Sequence, residues 1–286
     1  MNDGELFRKL RQERGLTQAQ LARGITSRTA LSSFELRQTE ISLPHAIKYL
    51  NRLNITLEEY EFIYRQKSTS KKHTFSQYLE NKDTTEAEKN SRLLLQQFQK
   101  TGDNYFFYLY AQSELLNQVQ YGQVFTTSYD LLVNEIKAYL DHVETWGHFE
   151  IIMFSNCMYV FSSEYIAHIL KNVLPLSEEY QETIYYSNNI VLLCQNGLGL
   201  GIQRQNSELI KLFKEKIYAL ENTDNSTISA IIRLFFQAID TFKTSADKAQ
   251  LNKKINDVWQ LIKLLHQEKW QPILQKYLTD NHMDHF

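Results

Sequence analysis

The side chains near the N-terminus that are best suited to chemistry lie on one predicted helix, residues 28–38. Leu31 and Phe34 have the spacing of its buried face, so the outward face carries four polar residues: Arg28, Thr29, Ser32 and Ser33. An arginine guanidinium can donate two parallel hydrogen bonds to guanine or clamp a phosphate, and threonine and serine are short enough for close contact in a groove. The pattern therefore predicts a surface that binds DNA.

Five short helices, within residues 4–66, are predicted to position this surface. Thr17 is a suitable N-cap for the second helix and Ser27 for the third, and a tight turn begins at Gly24 between them. The second and third helices, about seven and eleven residues long, have the proportions of a helix-turn-helix motif, whose second helix enters the major groove. We expect residues 1–66 to form a DNA-binding domain.

This region resembles the DNA-binding domain of phage-repressor-like (XRE-type) regulators over residues 11–35, RQERGLTQAQLARGITSRTALSSFE. On that resemblance, Gln18 at the N-terminus of the second helix is placed to bind a backbone phosphate, as are Arg37 and Arg14. The alternative for Arg37 is a solvated surface charge.

The same resemblance implies an internal ion pair between Arg11 and Glu35, which would join the first and third helices. The sequence departs from the commonest pattern at Leu36–Arg37, where Asn, Lys or Arg followed by Gly is usual. The predicted turn before Ser27 is also one residue short. These departures affect the individual base contacts and leave groove binding as the expected mode.

Charge divides the chain into two parts. Residues 1–72 hold 13 Lys and Arg against 8 Asp and Glu, a net charge of +5, and the remaining residues hold 18 against 25, a net charge of −7. This asymmetry predicts that only the N-terminal part binds a polyanion.

The charged N-terminus has no signal-peptide pattern and no apolar run approaches about 20 residues, so we expect a cytoplasmic protein without membrane contact. Cys157 and Cys194 lie in apolar stretches and are expected to be buried free thiols.

After a basic, polar linker at residues 67–74, residues 75–286 have the pattern of paired helices. The pairs recur about every 35–45 residues, which is the length of a tetratricopeptide-like repeat, although the consensus signatures of that repeat are missing. The predicted fold class is all-α: an N-terminal helix-turn-helix domain followed by a right-handed superhelical array of helix pairs with a concave inner wall.

This combination resembles the Rgg/MutR-type regulators of Gram-positive bacteria, and the most similar stretches of the repeat region are 145–156 (TWGHFEIIMFSN) and 235–243 (FFQAIDTFK). The resemblance implies a cytoplasmic homodimer that binds a near-palindromic operator in double-stranded DNA. It also implies that the concave groove carries a short, hydrophobic, imported signalling peptide used in quorum sensing. The peptide is then expected to switch promoter binding, or contacts with RNA polymerase.

Five residues of the repeat region are candidates for binding such a peptide. Asn156 and Asn189 have apolar neighbours and side chains that both donate and accept hydrogen bonds, as a peptide main chain requires; the alternative is an amide satisfied by the protein backbone. Tyr185 and Tyr186 would wall the groove or pack in the core. Arg233 interrupts an apolar run and is either buried against a carboxylate or directed at a ligand terminus.

The C-terminal run WQLIKLLHQEKW, residues 259–270, predicts one amphipathic helix whose apolar face forms a dimer interface or closes the last repeat. The run Gly197–Gly201 has the wrong spacing for a dinucleotide-binding loop and is predicted to be a turn between helices. No catalytic residue, cofactor or metal site is predicted. The alternative functions are a repressor of the same architecture controlled by a protein partner, and an enzyme with a regulatory N-terminal domain.

Overall fold

The computed structural model describes residues 2–37, 39–67, 79, 83–122, 128–175, 184–220 and 226–283, and all of their side chains except those of 65–67 and 184–187. The chain divides into two compact units, Met1–Ser76, called the head, and Gln77–Phe286, called the body. Every regular element in the described residues is helical, so the predicted all-α class is confirmed. Among these helices, none combines the length and the hydropathy that crossing a bilayer would require.

The described part of the head contains five α-helices, in agreement with the sequence pattern. They are α1 (Asp3–Glu13), α2 (Gln18–Ala22), α3 (Arg28–Arg37), α4 (Leu43–Arg52) and α5 (Leu57–Lys67). Both predicted caps are present, because the Thr17 hydroxyl accepts from the Gln20 backbone at 3.2 Å and the Ser27 hydroxyl accepts from the Ala30 backbone at 3.0 Å. Capping of this kind satisfies N–H groups that the first turn of a helix leaves without partners.

The core of the head is built around the ring of Phe7. Its centroid lies 5.4 Å from the ring of Phe34, 6.3 Å from Tyr49 and 5.0 Å from Tyr60, so one residue of α1 contacts α3, α4 and α5. On the same helix, a Cβ added to Gly4 would lie 2.1 Å from the carbonyl oxygen of Phe34. Glycine at this position therefore allows α1 to lie directly against the backbone of α3, which fixes the direction of that helix.

The body continues as an array of helices. They are α6 (Thr84–Thr101), α7 (Asn104–Tyr121), α8 (Tyr129–His142), α9 (His148–Cys157), α10 (Ser163–His168), α11 (Ile184–Gln203), α12 (Ser207–Ala219), α13 (Thr227–Ser245), α14 (Lys248–Leu264) and α15 (Gln271–Asp280). Consecutive helices pack as pairs, most extensively α6 with α7, α11 with α12 and α13 with α14. Contacts of α7 with α9, of α9 with α11 and of α11 with α15 join the pairs into one core.

Three glycines, Gly197, Gly199 and Gly201, lie inside α11, so the predicted turn at this run is wrong. A Cβ at Gly197 would lie 2.0–2.4 Å from three ring atoms of Phe213, and a Cβ at Gly201 would lie 3.2 Å from the backbone nitrogen of Ile210. The glycines thus allow α12 to pack closely on α11. Glycine costs a helix about 1 kcal/mol relative to alanine, but alanine at Gly197 would clash with the ring of Phe213.

The prediction of one continuous helix over residues 259–270 is also wrong. The helix α14 ends at Leu264, and His266 adopts a left-handed conformation with φ of 52°. A single 3₁₀ turn, Glu268–Trp270, then leads into α15. Trp270 is buried while Leu264 is 73% exposed, so the apolar residues of this run serve two different helices and part of the run faces solvent.

Candidate functional site

The first candidate site is the outward face of α3 in the head. Its inward residues, Leu31 and Phe34, are only 1% and 5% exposed, as predicted. The predicted polar residues are accessible to solvent in full or in part: Arg28, Thr29, Ser32 and Ser33. Arg37 in the last turn is also exposed, and no ion-pair partner for it lies among the described residues. A row of short hydrogen-bonding side chains with an arginine at each end of the helix can contact base edges and phosphates.

Leu36, one of the departures from the usual family pattern, belongs to the same face. It follows Ser32 and Ser33 by four and three residues and is 56% exposed. An accessible aliphatic side chain beside hydrogen-bonding groups can contact the methyl group of thymine.

Two residues predicted to bind phosphate form hydrogen bonds with other residues of the head. Gln18 Nε2 donates a hydrogen bond to Glu35 Oε2 at 2.9 Å. Arg14 donates to the carbonyl oxygens of Leu53 at 2.6 Å and Leu10 at 3.2 Å. These side chains hold helices together, which the pattern of polar and apolar residues does not reveal.

The ion pair implied by the family resemblance is present. Arg11 Nε and Nη2 donate to the two carboxylate oxygens of Glu35, each at 2.7 Å, and Nη1 donates to the carbonyl oxygen of Leu16 at 2.7 Å. Both charged side chains are buried, and the hydrogen bond to Glu35 raises the pKa of Arg11. The pair joins α1 to α3 and also to the turn before α2, so it orients the outward face of α3 from a buried position.

A second support of the motif was missed by sequence reasoning. Arg52, at the end of α4, donates to the carbonyl oxygens of Leu21, at 2.9 Å, and of Arg23. The hydroxyls of Thr26 and Tyr49 are hydrogen-bonded to each other, and burial is the main cause that raises the pKa of Tyr49. The helix α4 thus satisfies the C-terminal carbonyls of α2 and holds the turn between α2 and α3.

The second candidate site is a cleft of about 650 Å³ in the body, formed by α7, α9, α11 and α15 with the adjoining 3₁₀ turns. Its apolar lining consists of Leu116, Val119, Met158, Leu200, Ile202, Trp270, Pro272 and Ile273. Its polar lining consists of Ser155, Asn156, Tyr159, Gln195, Asn196, Gln203, Lys269 and Lys276. A cleft in which apolar walls surround hydrogen-bonding groups is the usual form of a ligand site.

The amides in this cleft are oriented by neighbouring side chains. Asn156 Nδ2 donates to Gln112 Oε1 at 3.1 Å, and Asn196 Nδ2 donates to Ser155 Oγ at 3.2 Å. Within the described residues, neither Asn oxygen accepts a hydrogen bond. Each amide therefore keeps an acceptor and one N–H for a ligand, which matches the donor and acceptor of a peptide main chain.

Tyr159 lines the same cleft from the 3₁₀ turn that follows α9. Its main-chain carbonyl accepts from Arg204 Nη2 at 2.7 Å, so the end of α11 holds this turn in place. Its hydroxyl is buried and has no hydrogen-bond partner among the described residues. Burial, followed by the nearby Cys157 and Tyr129, raises the pKa of Tyr159, and burial also raises the pKa of the Cys157 thiol.

Of the predicted peptide-binding residues whose side chains the structure describes, only Asn156 lines the cleft. Asn189 is hydrogen-bonded to His148 Nδ1 and does not line the cleft. Arg233 is 8% exposed and donates to the carbonyl oxygen of Ile217 at 3.4 Å, near the C-terminus of α12. Tyr185 and Tyr186 lie in the first turn of α11, and their side chains lie outside the described residues.

Three lining amides, Gln195, Asn196 and Gln203, were missed because the glycine run beside them was interpreted as a turn. On a continuous helix, Gln195, Gly199 and Gln203 are spaced by four residues and share one face. This four-residue spacing is the sequence signal from which the lining amides of α11 could have been identified.

Two family models match the chain. The C-terminal domain of the HTH-type transcriptional regulator Rgg matches residues 91–273, and a helix-turn-helix domain matches residues 7–60. The first match includes every lining residue of the cleft except Lys276. None of the curated proteins gives a significant sequence match.

Several solved structures share the fold. A candidate transcriptional regulator from Listeria monocytogenes EGD-e has a TM-score of 0.77 at 23% identity, with 98% of each chain covered. The SHP pheromone receptor Rgg2 of Streptococcus dysgalactiae has a TM-score of 0.71 at 19% identity, with 97% of this chain and 99% of that chain covered. A bacterial peptide pheromone/receptor complex has a TM-score of 0.64 at 18% identity, with 96% of each chain covered.

Proposed function

Because the chain belongs to the Rgg family of HTH-type transcriptional regulators, we propose that a short hydrophobic signalling peptide binds the cleft of the body and thereby switches promoter binding or activation. The observation that carries the proposal is the cleft itself, where apolar walls surround amides with unused hydrogen-bonding capacity. Two solved structures of the same fold are described as a pheromone receptor and as a peptide pheromone/receptor complex, which supports a peptide as the ligand class.

DNA binding is assigned to the head. In this proposal residues 1–66 form the DNA-binding domain, residues 67–74 the linker, and residues 75–286 the sensing and dimerisation domain. The N-terminal end of α3 meets base edges through Arg28, Thr29 and the two serines, and Arg37 meets a backbone phosphate. Gln18, at the N-terminus of α2, meets another backbone phosphate, and its side-chain amide is oriented by the hydrogen bond to Glu35.

Dimerisation and location complete the proposal. A homodimer would place two recognition helices about one DNA turn apart, so the operator would be near-palindromic. The regulator would act in the cytoplasm, where the operator is found. Peptide binding would favour one of two dimer arrangements through a difference in affinity, and would thereby change operator binding or the contact with RNA polymerase.

The DNA part is tested with duplexes selected from a random library by the full wild-type chain. Arg28→Ala should weaken binding to the selected duplex by about 1–3 kcal/mol, since a two-pronged contact to a base is lost. The matched control is Arg8→Ala, which removes an exposed arginine from α1 and should leave affinity within about twofold, because one exposed charge contributes little. Equal loss in both variants would show that α3 is not the reading helix.

The peptide part is tested with fluorescein-labelled hexapeptide pools that contain only Leu, Ile and Val. Asn156→Ala should weaken pool binding by about 1–3 kcal/mol, because buried main-chain groups of the peptide lose their partner. Affinity for the selected duplex without peptide should stay unchanged. The control is Asn134→Ala, an exposed amide on α8 outside the cleft. Unchanged pool binding by the Asn156 variant would remove the cleft from the proposal.

A further inference from the structure

The charged lining of the cleft is entirely basic within the described residues. Lys269 and Lys276 line it, and no aspartate or glutamate does. This contrasts with the remainder of the chain after residue 72, which carries a net charge of −7. A cation pair in a mostly apolar cleft of an acidic domain favours a ligand that brings a negative charge.

Both lysines lie on one wall of the cleft. This wall consists of the last 3₁₀ turn and α15. Along it, Ile273 follows Lys269 by four residues and Lys276 follows Ile273 by three, so all three line the cleft on the side of the buried Trp270. A Cβ at Gly199 would lie 3.8 Å from Ile273, so this wall faces α11 at the glycine run. The cations therefore stand opposite the helix that supplies three of the lining amides.

The two lysines differ in their surroundings. Lys276 Nζ lies 3.0 Å from Asp280 Oδ2, and Gln205 Nε2 donates to the same carboxylate at 2.8 Å, so this ammonium is held in position. Lys269 is exposed, and no ion-pair partner for it lies in the described part of the chain. Its neighbour Glu268 lies 3.8 Å from His266. Lys269 is thus the cation with its charge available to a ligand.

We infer that the α15 wall binds a carboxylate of the peptide through Lys269, assisted by Lys276. This inference rests on the proposed peptide-binding function and adds the polarity of the ligand. The carboxylate comes either from the C-terminus of the peptide or from an acidic side chain. The apolar residues of the peptide pack on the Trp270 and Ile273 side of the cleft, and its main chain meets the amides of α9 and α11.

The test uses three fluorescein-labelled hexapeptide pools built from Leu, Ile and Val: a free C-terminal acid, the C-terminal amide, and the amide with one Glu. Binding to the full chain is measured by fluorescence polarisation at low and at about 1 M salt, where the Debye length falls to about 3 Å. The free acid should bind about fivefold more tightly than the amide at low salt, the size expected for a partly exposed charge pair. High salt should reduce this ratio.

Variants identify the cations responsible. Lys269→Gln should bring the acid-to-amide ratio close to one, and Lys276→Gln should lower the ratio in part. Lys263→Gln is the matched control, since Lys263 is exposed on α14 outside the cleft. If the free acid and the amide instead bind equally and the Glu-containing amide binds more tightly than both, the carboxylate is a side chain and the inference stands for that source.

Other outcomes overturn the inference. Equal affinity of the wild-type chain for all three pools, or equal loss in the Lys263 and Lys269 variants, would exclude a carboxylate at this wall. If binding then still depended on Asn156, the proposed function would survive without the added polarity. If peptide binding does not depend on Asn156, or if no pool binds, both the peptide cleft and the carboxylate contact are rejected.

Discussion

The glycine run of α11 predicts opposite outcomes for one substitution at neighbouring positions. Replacing a helical glycine by alanine relieves a cost of about 1 kcal/mol. At Gly199 the added Cβ would meet only Ile273 Cδ1, at an ordinary contact distance of 3.8 Å. We therefore expect Gly199→Ala to raise the free energy of unfolding of the body by about 1 kcal/mol.

Gly197→Ala should act in the other direction. The added Cβ would lie 2.0, 2.2 and 2.4 Å from three ring atoms of Phe213, a residue with 0% exposure. Overpacking of a closed core costs about 1–3 kcal/mol and reaches the upper end of that range at contacts this short. After the gain in helix propensity is subtracted, a net loss of about 2 kcal/mol is expected.

Tryptophan fluorescence during urea unfolding measures this difference in the body alone, because Trp146, Trp259 and Trp270 all lie there. In thermal unfolding, 1 kcal/mol corresponds to about 2–4 °C for a domain of this size. Phe213→Leu supplies the control: with the ring removed, Gly197→Ala should stabilise by about 1 kcal/mol, and the double-mutant cycle should show about 3 kcal/mol of coupling. Equal effects of alanine at Gly197 and Gly199 would refute the close packing of α11 on α12.

Two further substitutions test buried polar groups. Glu35→Ala should destabilise the head by about 3–5 kcal/mol, because the Arg11 guanidinium would stay buried without its partner; hydrogen exchange across α1–α4 measures the loss. Glu13→Ala, which removes only an exposed pair, should cost less than about 1 kcal/mol in the same measurement. Tyr159→Phe removes a buried hydroxyl that has no partner among the described residues, so the free energy of unfolding should stay equal or rise by up to about 1 kcal/mol; a clear loss would reveal a hydrogen bond to this hydroxyl.

Local chemistry made much of the fold predictable. The hydroxyl caps at Thr17 and Ser27 and the inward spacing of Leu31 and Phe34 are short-range features, and all of them are confirmed. Short-range signals also bound α6, because Asp83 caps its start and Gly102 ends it in a left-handed conformation. Signals of this kind depend on residues within one turn of each other.

The remaining features depend on contacts between distant residues. Gly197 has the appearance of a helix breaker until Phe213 is placed against it. The helix α14 ends just before His266, which adopts a positive φ although no Gly or Pro marks the end of the helix in the sequence. In the candidate sites, Gln18 was predicted to bind a phosphate, and its additional hydrogen bond to the buried carboxylate of Glu35 could not be read from the sequence. A sequence pattern assigns polar residues to a surface, whereas their partners are decided by how the helices pack.

The sealed position of the two thiols has a consequence for chemical sensitivity. Cys157 and Cys194 have no exposed surface, and burial raises the pKa of the Cys157 thiol. Since oxidants and alkylating reagents attack the thiolate, neither sulfur reports the redox state of the surroundings while the core is closed. The rate at which such a reagent labels them instead measures how often α9 and α11, the helices that carry these sulfurs, open to solvent.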